Sequence, residues 1–212
     1  SNAAIERTTH QIIYNGSWVK LDYPGGDVPD SIGVCTDLLI RSYRNSLNID
    51  LQKEIHEDMK ANFNAYPSKR IWGNTRPDRN IDHRRTQNLE CFLKRKGANL
   101  PITDNPKDYK PGDLIFWADI ATGHVGIVVN QYTEKDIPKV VHNIGNGPKC
   151  EDFLFKNRII GHYRWFKNQE TFFSFIDPLD NSTLPDFSNF FNILEITTLD
   201  VPNSLAINSC VE

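Results

Sequence analysis

The chain has 212 residues, with 24 Lys and Arg against 27 Asp and Glu and a formal net charge of −3. That length suits one domain with or without an extension, and the charge supplies no basic surplus for a nucleic-acid partner. A hydrophobic share of 39% with 12 Phe and 4 Trp can fill a core, while no apolar run reaches the ~18 residues of a transmembrane segment.

In chain order, Ser1-Asn2-Ala3 reads as an expression scar, so an export leader is expected to have been removed ahead of it. Ala4 to Ile13 suits a short helix, and the Pro-, Gly- and Asp-dense stretch LDYPGGDVPDSIG suits a loop. Cys35 then opens an amphipathic helix, on one face with Leu38, Leu39, Tyr43 and Leu47. LQKEIHEDMKANF reads as a second helix stopped near Pro67, RPDRNIDHRR as a charged loop, and TQNLECFLKRKG as a third helix with Gly97 past its end. YKPGDLIFWADI then gives a turn and a strand, and GHVGIVVN, PKVVHNIG and RIIGHYRWF give further strands. Helices first and an antiparallel sheet second predict an α+β fold. The domain is expected over residues 4–166, followed by an extension over 167–212 with six Phe between Phe172 and Phe191 that are expected to pack.

Four cysteines, Cys35, Cys91, Cys150 and Cys210, contain no C-x-x-C pair, which argues against a finger-type zinc site and leaves disulfide pairing open. Cys35 at a helix start is the chemically suggestive one. A thiolate, not a thiol, attacks a carbonyl, and the partial positive charge and free N–H groups of a helix N-terminus favour the thiolate and can hold an oxyanion. A core cysteine is the commoner fate of such a residue, so a base has to be found. His124 opens one strand and His142 lies in the next. The segment between the strands, 130–138, is centred on residue 134 and the two histidines on 133. A simple hairpin would set the two rings opposite each other on one face. One imidazole could then take the thiol proton while the other orients it.

YPGGD before GVCTDLLIR, then YKPGDLIFW, GHVGIVV and VVHNIG, resemble the NlpC-type branch of papain-like cysteine peptidases. LDYPGGDVP, GVCTDLLIRSYR, IHEDM, NIDHRR, HNIG, EDFLF and GHYR resemble more closely the YijF-like family of exported bacterial proteins, over roughly residues 10–165. The resemblance implies a papain-like fold and an exported thiol hydrolase with Cys35 as nucleophile, His124 as base and His142 as orienting residue. A peptide or peptidoglycan-like substrate is implied, with no cofactor and no metal. An acyltransferase using the same site, and a glycopeptide-binding module that no longer turns over, are the alternatives. Where that branch carries a small residue two positions past the thiol, Asp37 stands here. Its carboxylate could tune the site, bind a substrate amine or cap the helix, and it would oppose thiolate formation. Tyr23 lies near the place of a tyrosine that NlpC relatives use for oxyanion or substrate contact, at a different offset. Asn143 either competes for the orienting role or faces away.

From Lys69 to Lys96 there are nine Lys and Arg against three Asp and Glu. This is either a patch for an anionic ligand or, for most of it, a solvated face with an Asp–Arg network. Asp82 and His83 are expected to hold that loop or support the site from behind. His56 and Asp58 are expected on a helix surface, GNGPKC in a turn, and His162 and Tyr163 in a terminal core strand.

Overall fold

The structure, a computed structural model, describes residues 1–118, 120 and 123–167. The expected extension from residue 168, with its Phe residues and Cys210, lies outside the described residues. As far as Trp165 the described chain clusters as one compact unit.

The architecture is mixed α+β. Helix α1 (Asn2–Arg7) is shorter than the sequence suggests, because the Thr8 and Thr9 hydroxyls turn back onto the carbonyls of Ile5 and Glu6 at 2.7 and 2.9 Å and close the helix end. The chain then enters β1 (Ile13–Tyr14), which pairs in parallel with β2 (Ile32–Gly33). Helix α2 (Cys35–Leu47) follows directly. Val34 caps it in an extended conformation, and the Asp37 carboxylate accepts the Val34 N–H at 2.7 Å, the acidic half of a capping box. Asn48 in the left-handed region, φ 53°, stops it. Every residue from Cys35 to Tyr43 is buried, so α2 is the central helix. Helix α3 (Leu51–Asn62), α4 (Ser68–Trp72) and α5 (Thr86–Arg95) complete the helical layer.

Five antiparallel strands form the second layer: β3 (Leu114–Trp117), β4 (His124–Tyr132), β5 (Pro138–Asn143), β6 (Pro148–Glu151) and β7 (Ile159–Tyr163), in the order β6-β5-β4-β3-β7. The hairpin turn expected at GNGPKC is present, with Gly145 and Gly147 at φ 133° and 78°, and its far end continues as β6. Alternation splits the strands between two cores. Leu114, Phe116, Val125, Ile127, Val129, Val141 and Tyr163 pack with Cys35, Leu39, Ile55 and Phe92 on the helix side. Ile115, Trp117, Val128 and Val140 pack with Tyr109, Phe153 and Leu154 on the other side. Fully buried side chains such as Leu39 and Ile55 contribute about 1.5–3 kcal/mol each.

The β4–β5 register differs from the symmetric hairpin by two residues. His142 sits opposite Gly126, not His124, and the pairing slips between Val128 and Tyr132. A bulge of this kind changes the residue count on one strand, which a midpoint argument cannot see. The two histidines are therefore diagonal neighbours on one face.

Candidate active site

The His124 and His142 rings are buried and hydrogen-bonded, Nε2 of His124 to Nδ1 of His142 at 2.8 Å. Trp117 stacks on His124 at 5.7 Å between ring centroids, and Phe153 lies against His142 at 4.1 Å. Gly126 makes the approach possible: a Cβ there would lie 2.6 Å from Val140 Cγ1 and 3.1 Å from His142 Cβ. His142 Nε2 reaches Glu151 Oε2 at 3.3 Å. A carboxylate only accepts, so His142 donates from Nε2 and must accept at Nδ1. His124 then donates from Nε2, which leaves its Nδ1 with a bare lone pair. Among the described residues Nδ1 of His124 makes no hydrogen bond. Glu151 thus sets the tautomer of a ring two hydrogen bonds away. It lies on β6 and opens the EDFLF motif, but nothing in that motif points to His142 as its partner.

The Cys35 sulfur meets the sheet where β4 begins. Backbone N–H groups of Val125, Thr36 and Cys35 act on it in the direction that favours thiolate. Burial is stronger and pushes the thiol up to about 11. The expectation that a helix start activates this thiol is thereby corrected: desolvation outweighs the helix terminus. Burial, reinforced by His142, likewise pushes His124 down to about 3, and burial lowers His142. Thiol and imidazoles are all neutral at pH 7. Among the described residues no hydrogen bond joins the Cys35 sulfur to His124: Cys35 packs with Val125 in the helix-side core, whereas the His124 and His142 rings pack against Trp117 and Phe153 of the other core.

Tyr14 was not singled out from the sequence, yet its hydroxyl lies against the Cys35 sulfur. Burial first, and then Cys35, push its pKa up to about 12. The β1–β2 pairing that carries Tyr14 there joins residues about twenty apart with no local signature. Tyr23 instead contacts His56, at 5.1 Å between centroids, and Arg79, at 5.6 Å, so it takes no part at the thiol.

Asp37 is occupied. Besides the Val34 N–H it takes Arg84 Nε and Nη2 at 2.8 and 3.0 Å, with both side chains almost fully buried. Arg84 goes on to donate to the carbonyls of Ser17 and Asn15. Asp37 therefore anchors the helix start and the β1 loop and is not free to bind a substrate amine. Asn143 faces away from His142: its Nδ2 donates to Gly33 O at 3.5 Å and its Oδ1 accepts from Gly145. It tethers the loop before Cys35. Asp82 accepts from the Asp78 N–H, Arg85 and Asn88, and burial pushes it up to about 6. His83 is buried and pushed down to about 3 by burial and then by Arg84. Asp82 thereby ties Asp78, Arg85 and Asn88 together, and His83 is buried in the same short turn. Asp58 pairs with Arg95, Lys96 and Tyr66.

Over residues 1–165 the chain matches the family described as "Domain of unknown function (DUF1287)". It is similar to the "Uncharacterized protein YijF" of Escherichia coli (strain K12), with 45% identity over 167 residues, 78% of this chain and 80% of that protein.

Proposed function

We propose that this chain, which belongs to the DUF1287 family, is an exported thiol hydrolase of papain-like, NlpC-type architecture acting on peptide-like amides. One observation carries the reading: the Glu151–His142–His124 hydrogen-bond chain leaves a lone pair on Nδ1 of a buried histidine, at the strand end that donates its Val125 N–H to Cys35. Nδ1 of His124 takes the thiol proton as sulfur attacks the carbonyl carbon. Because both groups rest neutral, transfer and attack proceed together, with no thiolate–imidazolium pair waiting. The Cys35 N–H and the Tyr14 hydroxyl face the developing oxyanion. The imidazolium returns its proton to the leaving amine, an acyl-thioester forms, and water activated by His124 hydrolyses it. Bacterial cell-wall stem peptides are the substrate class that the NlpC resemblance suggests.

The test is acylation. The full chain is incubated with a p-nitrophenyl ester of an N-acyl amino acid, and intact mass and peptide mapping follow the adduct. A single acyl group on Cys35, absent in Cys35→Ala and lost in His124→Ala, is expected. An unmodified Cys35, or ester cleavage undiminished in Cys35→Ala, refutes the proposal. The elevated thiol favours one competitor, a binding module with a silent site. In that case Cys35→Ala keeps ligand affinity and no adduct forms.

A further inference from the structure

A cleft of about 660 Å³ opens on the helical side of the molecule, lined among others by Trp18, His56, Asn74, Arg76, Arg79 and Asn80. Trp18 is 56% exposed. The indole is nonetheless fixed, because its Nε1 donates to Asp78 Oδ2 at 2.9 Å. Asp78 Oδ1 in turn accepts the backbone and side-chain N–H groups of Asn80 at 2.9 and 2.7 Å. An immobilised, solvent-facing aromatic plane stabilises no core. It presents a flat surface of the kind that apolar C–H faces stack on.

The charge of the cleft is unbalanced. Arg76 and Arg79 are exposed, and the Asp78 carboxylate of the lining keeps its negative charge while accepting from Trp18 and Asn80, which leaves two cations against one anion. Burial and then Lys60 lower the pKa of His56, so it adds no charge at pH 7. Nδ1 of His56 is buried without a partner, an orphan of the kind that a ligand or bound water resolves. The surplus of Arg seen in the sequence therefore divides. Arg84 and Arg85 are consumed by Asp37 and Asp82, whereas Arg76 and Arg79 face the cleft.

We infer that this cleft binds an acidic saccharide, its pyranose ring stacked on Trp18 and its carboxylate met by Arg76 and Arg79. The cleft connects to the thiol through the chain itself. Tyr14, at Cys35, and Trp18 are four residues apart, at most about 14 Å of extended backbone, and Arg84 pins the intervening carbonyls of Asn15 and Ser17. A ligand seated on Trp18 would be held a short stretch of chain from Tyr14, although neither Tyr14 nor Cys35 lines the cleft. That link to a reaction rests on the thiol-hydrolase reading; the binding itself does not.

The full-length Cys35→Ala protein is titrated with a disaccharide carrying one uronic acid, with the methyl ester of that disaccharide, and with acetate, following the indole N–H resonance identified by its loss in Trp18→Ala. The acid is expected to shift that resonance saturably and to bind at least about tenfold more tightly than the ester, and the Arg76→Ala/Arg79→Ala protein to lose that advantage. Trp18→Ala, an exposed substitution, should abolish binding with the rest of the spectrum intact. An unmoved Trp18 resonance, equal affinity for acid and ester, or acetate binding as well as the disaccharide overturns the inference. If the wild-type chain binds the acid but forms no acyl adduct, the thiol reading falls and the cleft assignment stands.

Discussion

The five-stranded sheet holds two buried histidine assemblies. At its far edge, His162 on β7 sets its Nδ1 2.9 Å from Pro101 O and its Nε2 2.7 Å from Asp113 Oδ2. Its ring stacks on Tyr109 at 4.4 Å. Asp113, fully buried, also takes the Lys110 N–H and both Arg164 donors. Both ring nitrogens of His162 and both oxygens of Asp113 have partners. At the other assembly the chain of donations runs from His124 through His142 to a Glu151 side chain that is 38% exposed, and among the described residues it leaves Nδ1 of His124 without a hydrogen bond. A buried histidine by itself says nothing about catalysis; the nitrogen left over does.

The largest expected effects separate the two assemblies by readout. Cys35→Ala should lower turnover by at least about 10³-fold with little change in stability to denaturant, and His124→Ala should lower it as much while also costing about 2–3 kcal/mol for the buried cavity it leaves. Asp113→Asn should do the reverse: by breaking a buried charge network it should cost about 3 kcal/mol of unfolding free energy. A protein in which Asp113→Asn removes activity without loss of stability would erase the distinction.

The resting state of the thiol sharpens the contrast next. With Cys35 pushed up to about 11 against an ordinary 9.0, its alkylation by iodoacetamide at pH 8 should be about 100-fold slower in the folded chain than in the unfolded one. Labelling as fast as in the unfolded chain would mean that the sulfur is pre-ionised and that proton transfer is not coupled to attack.

Acid stability follows from the same burial. His124 and His83, at about 3 instead of 6.5, bind protons less tightly when folded. Below pH 6.5 the unfolded chain therefore takes up protons first, and stability falls as pH drops toward 3. Asp82, raised from 3.8 to about 6, works in the opposite sense and returns stability between pH 6 and 4. Two groups outweigh one, so the thermal midpoint should decline steadily from pH 6.5 to 4. A flat profile would place both histidines in contact with water.

What the sequence disclosed depends on the range of the interaction. The helix at Cys35 and the strands around His124 and His142 follow from local periodicity and were legible. So was the shared face of the two rings, because alternation survives a two-residue slip while exact opposition does not. Tyr14 and Glu151 were not legible: Tyr14 gains its role through pairing with a distant strand, and Glu151 through the register of the β5–β6 hairpin. The thiol was misjudged for a related reason, since the helix terminus is written locally and the burial that overrides it is not.

Two smaller changes probe how the histidine pair is held. Gly126→Ala places a methyl against Val140 and His142. It should cost about 1–3 kcal/mol of stability and lower activity by displacing His142, while leaving the His162 assembly, on β7, intact. A stable and fully active Gly126→Ala protein would show that the close approach of the rings is dispensable.

Glu151→Gln is the mildest test and the most specific. The contact with His142 is 3.3 Å and Glu151 is 38% exposed, so the pair is worth at most about 1 kcal/mol, or roughly fivefold in rate. A carboxylate can only accept, whereas an amide can also donate, so Gln permits the reversed tautomer, with the proton on His124 Nδ1. Turnover should fall severalfold with stability unchanged, and Glu151→Asp, which keeps an acceptor-only group, should retain more activity than Gln. If Gln and Asp behave alike, His124 keeps its working tautomer without Glu151, and the orientation rests on His142 and its packing against Phe153.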